Sequence, residues 1–241
     1  MKIGTLYGIG VGPGDPELIT LKGVRLLRQC QHVFVPKSRT AADSVALSIG
    51  RRYLNSSSQV HELIFPMTSD QADLSRHWTA SAGEIAAVLK SGEDACFLTL
   101  GDPLLYSTYI YLLRELKALW PEAGVVTVPG ITAFSAAAAL AGFPVGEKKE
   151  TVTIIPTADN LEDVRRVLSG GGTVILMKIG QRLREVLNLL EEAKVIDRSV
   201  FVSHAGMENE RVESNLRRLR GEDPQAGYLS IILAHAEEKG S

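Results

Sequence analysis

"GTLYGIGVGPGDPELITLKG", residues 4–23, holds the reading on which the fold turns. The β-branched and aromatic run "GTLYGIGV" (4–11) breaks into glycines and then into a helix-length stretch, 16–28. Gly8, Gly10, Gly12 and Gly14 alternate where this strand ends. Asp15-Pro16-Glu17 then offers an N-cap acceptor, a first-turn proline and a first-turn acid, the combination that starts a helix. Strand, glycine turn and helix open a βαβ unit.

The same rhythm runs along the chain. "HVFVP" (32–36), "VHELIF" (60–65), "ACFLTLG" (95–101) and "VVTVPG" (125–130) read as further strands, with helices at 41–54, 71–90 and 104–119 between them. After residue 150, "TVTIIPT", "TVILMK", "SVFVSHAG" and "YLSIIL" repeat the pattern, with helices at 131–141, 160–168 and 181–193. At 241 residues the chain suits two domains of ~100–200 residues each. The breaks at Trp120-Pro121-Glu122 and "GFPVGEKKE" (142–150) favour a parallel α/β domain over 1–129 and a second α/β domain with a mixed sheet over 130–241.

An apolar content of 45%, a charged content of 22% and a net charge of −2 describe a globular chain able to pack two sheets. Near-neutrality without a basic tail speaks against a phosphate-backbone partner, so no nucleic acid is expected. The longest apolar span, "ITAFSAAAALAGFPV" (131–145), is shorter than the ~20 residues of a membrane helix, and the N-terminus lacks a cleavage-site pattern. A cytoplasmic protein without a membrane partner is expected. Cys30 and Cys96 have no C-x-x-C spacing, and the histidines at 32, 61, 77, 204 and 235 have no ligand spacing. Both thiols are expected reduced and buried, and no protein-held metal is expected.

The glycine loop invites a dinucleotide reading, which three features oppose. Pro13 stands where the third glycine of G-x-G-x-x-G belongs, Asp15 puts negative charge where an anion would sit, and the second strand ends in Pro36-Lys37 rather than an acid. So many missing Cβ atoms still point to a ligand approaching the backbone. "LTLGDPLLYSTY" (98–109) repeats the helix-start pattern at Gly101-Asp102-Pro103, so two glycine-opened turns would flank one crevice outside the strand ends. Neither turn offers a P-loop cation. Asp102, backbone carbonyls and the hydroxyls of Ser107 and Thr108 suit a ligand carrying positive charge and a ribose, which describes S-adenosylmethionine.

At these residues the sequence resembles the tetrapyrrole (corrin/porphyrin) methylases. "GIGVGPGDPELITLKG", "LTLGDPLLYST", "VPGITAFSAAAA", "LMKIG" and "SHAGMENERV" follow the order of that family's motifs across nearly the whole chain. "TLYGIGVGPGDPELITLK", "FVPKS", "SVALSI", "FPMT" and above all "FLTLGDPLLYSTYIYLL" are similar to the precorrin-2/cobalt-factor II C(20)-methyltransferase branch. The resemblance implies two α/β domains of the class III methyltransferase type, S-adenosylmethionine in the cleft between them, S-adenosylhomocysteine as product, and a homodimer. Carried across by motif, it implies that Pro13 edges the site and that Leu100, Gly101 and Asp102 contact the methionine part, with Leu105 nearby. Thr132 and Ala133, after Pro129-Gly130, would lie under the cofactor, and Met177 and Gly206 would contact adenine or ribose. His204 stands where the branch commonly carries an arginine.

Methyl transfer from a sulfonium to an electron-rich ring carbon is expected to rest on positioning. Proton loss afterwards needs a base or water, with Tyr106, Asp102 and His204 as candidates. A small-molecule tetrapyrrole substrate with a rim of carboxylates calls for cations, of which Lys37 is best placed, with Arg39 behind it and His204 as a third contact. Arg51, Arg52, Lys148, Lys149 and Lys178 are further cations; any cobalt would arrive with the substrate. The competing readings are another acceptor on the same fold (a different corrin position, uroporphyrinogen III, diphthine or rRNA) and a non-catalytic nucleotide-binding module.

Overall fold

The computed structural model describes residues 3–37, 44–65, 70–156 and 160–236. The chain divides into two compact units, Met1–Thr132 and Ala133–Ser241.

In the first unit, β1 (Thr5–Gly10), β2 (His32–Lys37), β3 (Gln59–Ile64), β4 (Ala95–Thr99) and β5 (Gly124–Val128) form one sheet in the order β3-β2-β4-β1-β5. All pairings are parallel, with Gly8 opposite both Phe97 and Thr127. Alternation along the strands feeds two apolar layers. Leu6, Phe34 and Phe97 pack with α3 (Gln71–Lys90) and α4 (Tyr109–Leu119), whereas Ile9, Val33, Val35 and Leu98 pack with α1 (Leu21–Gln29) and α2 (Val45–Gly50). The chain therefore leaves β1 for one face and the adjacent β4 for the other, which makes their junction the switch point where open α/β sheets bind ligands.

Two helix starts differ from expectation. Asp15 Oδ1 accepts the Glu17 N–H at 2.8 Å, but this caps only a 3-10 turn, Pro16–Leu18. Ile19 is extended and buried in the α1-side core, and Thr20 then caps α1 by accepting the Gly23 N–H. Residues 104–108 form a turn rather than the first turn of α4, because Tyr106 adopts φ 52° and Ser107 Oγ accepts the Tyr109 N–H at 3.1 Å. The stretch 41–54 contributes α2 and a 3-10 turn, Arg51–Tyr53, with 41–43 outside the described residues.

Cys30, just past α1, and Cys96, in β4, are both buried in the α1-side layer. Cys96 Sγ lies 3.7 Å from the Leu26 carbonyl, and burial pushes its thiol well above the ordinary range. At the start of β2, His32 bridges His61 (Nδ1 to Nε2, 3.0 Å) and Glu93 (Nε2 to Oε2, 3.1 Å), and the His61 ring stacks on Phe34 at 4.5 Å. Burial first and His32 second hold His61 below its ordinary value of 6.5, against an opposing pull from Glu84. The unfolded chain thus binds this proton at higher pH than the fold does, so the stability contributed by neutral His61 is present above 6.5 and is lost as pH falls. Urea midpoints should drop between about pH 7.5 and about pH 5.5, and His61→Gln should flatten that drop. Equal pH dependences in the two proteins would remove His61 as its source.

In the second unit, β6 (Val152–Pro156), β7 (Gly172–Met177), β8 (Ser199–Ser203), β9 (Arg211–Glu213) and β10 (Ser230–Ala236) form a mixed sheet, β6-β7-β10-β8-β9. Only β6 and β7 pair in parallel. α5 (Ala133–Ala141) covers one face through Ala136 and Ala137, against Ile175, Val202 and Leu233. α6 (Leu161–Leu168) and α7 (Leu183–Glu192) cover the other, against Val174, Phe201 and Ile232. The short strand β9, lying in the charged segment "NERVES", has no apolar run to announce it.

Candidate functional site

Because every strand of the first unit runs the same way, the loops after β1, β4 and β5 emerge at one edge of the sheet. Two of them are tied by their backbones. The Gly101 N–H donates to the Gly12 carbonyl at 2.8 Å, the Gly12 N–H donates back at 3.3 Å, and the Val11 N–H donates to the Thr99 carbonyl at 3.0 Å. The third loop lies against both: a Cβ on Gly130 would sit 2.1 Å from the Gly101 carbonyl oxygen and 2.8 Å from Gly10 Cα. A Cβ on Gly10 would meet Gly101 O at 2.5 Å and Gly130 Cα at 2.7 Å. The expectation that these glycines clear space for a ligand is therefore corrected at Gly10, which clears space for the chain's own backbone. Gly8 clears space for the Tyr109 ring, 2.2 Å from where its Cβ would be.

Asp102 closes this arrangement. Its Oδ1 accepts the Leu104 N–H at 2.9 Å, and its Oδ2 accepts the Gly130 N–H at 3.1 Å. Asp102 does not cap α4, which begins at Tyr109; it joins the β4 loop to the β5 loop. Pro13 and Gly101 are buried in the same knot, and Leu100, Leu105 and Thr132 are half-buried around it. Ser107, 7% exposed, spends its hydroxyl on Thr99 Oγ1 at 2.8 Å and on the Tyr109 N–H. Thr108 is half-buried beside it, while Tyr106 is 40% exposed. Lys37 ends β2 at this edge, where its Nζ donates to Glu62 Oε2 at 2.7 Å. Arg39 lies outside the described residues.

In the second unit, Met177 is the last residue of β7, His204 follows β8, and Gly206 (φ 75°) turns the chain, its N–H donating to Glu210 Oε2 at 2.7 Å. β7 and β8 both run antiparallel to β10, so Met177, His204 and Gly206 share one edge. Ala133 opens α5 and packs with the apolar layer beneath it. Gly227 is pressed onto Gly180, with a Cβ placed 2.0 Å from the Gly180 carbonyl oxygen. Gly10, Gly130 and Gly227 act as steric locks that sequence reading missed, since their partners are remote in the chain.

The donor set fits S-adenosylmethionine. The loops 11–15 and 100–108 contain no lysine or arginine to attract a phosphate, and they bring a carboxylate, carbonyls and hydroxyls to the switch point. An open groove along α3, lined by Ala72, Ser75, Arg76, Thr79 and Ala80, carries no comparable set. Among the described residues no helix is long and apolar enough to cross a membrane.

Comparison with known proteins agrees with this architecture. The cobalt-precorrin-2 C(20)-methyltransferase of Salmonella typhimurium is 32% identical over 234 residues, covering 97% of each chain. The probable cobalt-precorrin-2 C(20)-methyltransferase of Methanocaldococcus jannaschii is 33% identical over 95% of this chain and 94% of its own. Among solved structures, a cobalt precorrin-4 methyltransferase superposes with a TM-score of 0.72 at 22% identity, covering 96% of this chain and 94% of that one. A uroporphyrin-III C-methyltransferase from Thermus thermophilus, complexed with S-adenosylhomocysteine, superposes at 0.63 with 21% identity, covering 96% of this chain and 97% of that one. The model of the tetrapyrrole (corrin/porphyrin) methylases matches residues 5–219. With its strand-end loops, its motifs and its length all accounted for in this way, the chain belongs to the tetrapyrrole methylase family.

Proposed function

We propose that the protein transfers a methyl group from S-adenosylmethionine to carbon 20 of precorrin-2 or its cobalt-bearing counterpart, a step in cobalamin biosynthesis. The observation that carries this reading is the end-to-end similarity, 32% over 97% of both chains, to a cobalt-precorrin-2 C(20)-methyltransferase. The donor chemistry at the switch point supports the choice of cofactor. We further propose that the protein works as a homodimer in the cytoplasm on a small-molecule tetrapyrrole, without a nucleic-acid or membrane partner.

When bound, S-adenosylmethionine supplies an electrophilic methyl on a sulfonium; the acceptor carbon's electron pair forms the new bond and the S–CH3 pair stays on sulfur as a thioether. The chain's own contribution is placement. Pro13, Leu100, Gly101, Asp102, Leu105 and Thr108 are proposed to hold the methionine and ribose end, with Ser107 supporting the loop from beneath. Thr132, Ala133, Met177 and Gly206 are proposed to hold the remainder. Fixing both reactants at near-attack distance can supply ~7–11 kcal/mol of the barrier. Tyr106, exposed at the edge, is assigned to relaying the proton lost from carbon 20. Asp102 is not assigned the proton, because both its oxygens already accept backbone N–H groups; it holds its loops in place beside the cofactor. Lys37, Arg39 and His204 are proposed contacts to acceptor carboxylates.

Anaerobic incubation with methyl-labelled S-adenosylmethionine and, in parallel, metal-free and cobalt-loaded precorrin-2 tests the reading. Label at carbon 20, located by mass spectrometry and NMR, is the expected result, and the acceptor that takes it identifies the metal state used. No label in either acceptor, with S-adenosylhomocysteine still bound, would overturn the choice of acceptor.

A further inference from the structure

Among the described residues, Tyr106, Lys148, Lys178, Lys194, His204 and Leu229 are the non-glycine residues with left-handed backbone. Lys194 follows the end of α7, where chains commonly turn this way. Lys178, His204 and Leu229 lie side by side instead. Lys178 follows β7, His204 follows β8, and Leu229 precedes β10, which runs between them. Met177 pairs with Ile231 and Ser203 with Ser230, and the His204 N–H donates to the Leu229 carbonyl at 2.9 Å. With strands ~4.8 Å apart, Lys178 and His204 stand ~10 Å from each other, bracketing Leu229 and Ser230, with Tyr228 one residue further out.

A Cβ in this conformation crowds its own carbonyl, so each such residue is strained. The same loops use glycine at Gly180 (φ 54°) and Gly206 (φ 75°), so the fold relieves the strain at some turns and keeps side chains at others. Packing holds the strained segment in place, with Gly227 against Gly180 and Glu210 accepting the Gly206 N–H. The side chains kept are an exposed ammonium and a half-buried imidazole, and Tyr228 adds a phenol 57% exposed, its ring centroid 6.3 Å from that of His204. Ammonium, imidazole and phenol are each donors suited to an anionic group.

We propose that Lys178, His204 and Tyr228 form a subsite for a carboxylate of the acceptor, kept in place by the strained backbone at Lys178, His204 and Leu229. This rests on the methyl-transfer reading above. Replacing Lys178 with glycine relieves strain while deleting the cation, so stability and substrate use should move in opposite directions. Lys178→Gly should raise the melting temperature by ~2–4 °C and raise KM for precorrin-2 about tenfold, leaving the affinity for S-adenosylhomocysteine unchanged. Tyr228→Phe should raise the same KM a few-fold.

These constants are measured beside the wild type, with the precorrin-2 form it methylates, and with S-adenosylhomocysteine affinity from calorimetry. An acceptor KM within twofold of wild type in both Lys178→Gly and Tyr228→Phe would overturn the subsite while leaving the methyl-transfer reading intact. Weakened S-adenosylhomocysteine binding with an unchanged acceptor KM would overturn it in favour of a cofactor role. A wild-type protein that methylates neither form would overturn both.

Discussion

Gly130→Ala is expected to cost about 3 kcal/mol of stability, a fall in melting temperature of ~6–12 °C, and to abolish S-adenosylhomocysteine binding. The new methyl would sit 2.1 Å from the Gly101 carbonyl oxygen and 2.8 Å from Gly10 Cα. Both obstacles are backbone, so no rotamer change removes the clash. The β5 loop must retreat, and it takes with it the N–H that Asp102 Oδ2 accepts. A second alanine distinguishes this from a general cost of replacing glycine. Gly83 lies inside α3 with nothing within 4 Å of the place its Cβ would take, so Gly83→Ala should stabilise by ~0.5–1 kcal/mol. Urea titrations and calorimetry on both variants give the comparison, and equal effects would mean that the three loops are not locked as described.

Asp102 carries the second large effect. Each carboxylate oxygen accepts a backbone N–H, one from Leu104 and one from Gly130, and the amide of an asparagine can accept only one of these. Asp102→Asn should therefore lose one charge-assisted bond, about 2 kcal/mol, which would appear as a roughly 30-fold loss of S-adenosylhomocysteine affinity if the lost bond is the one that joins the loops. Asp102→Ala should lose more. If Asp102 acted only as a cap for the Leu104 turn, asparagine would serve as well as aspartate, and affinity in Asp102→Asn would equal that of wild type.

The strands were legible because apolar β-branched runs such as "HVFVP" and "VVTVPG" end in glycine or proline, a signal local to each run. α3 was read correctly over Gln71–Lys90, since its start is set by Asp70, which accepts the Ala72 and Asp73 N–H groups within its own first turn. The start of α4 was misread. Asp102-Pro103 has the composition of a helix cap, but Ser107 bonds to Thr99 across the strand end, and Tyr106 turns left-handed beyond the reach of local propensity. The glycines were seen and given the wrong cause, because Gly10 is excluded from having a side chain by residues 101 and 130, whose approach only the sheet order creates. The edge of the second sheet stayed hidden for a related reason. Nothing in "GYLSIIL" marks Tyr228 and Leu229 until β10 sets them beside His204.

The placement of the cysteines gives the molecule a built-in reporter. The chain has two, Cys30 and Cys96, and both lie in the first unit under its α1-side layer. An alkylating reagent reaches them only when that layer opens. Pulses of maleimide followed by mass spectrometry would therefore time the opening of that layer. Slower labelling in the presence of S-adenosylhomocysteine would express, as a rate, how much the ligand steadies the sheet whose loops hold Asp102.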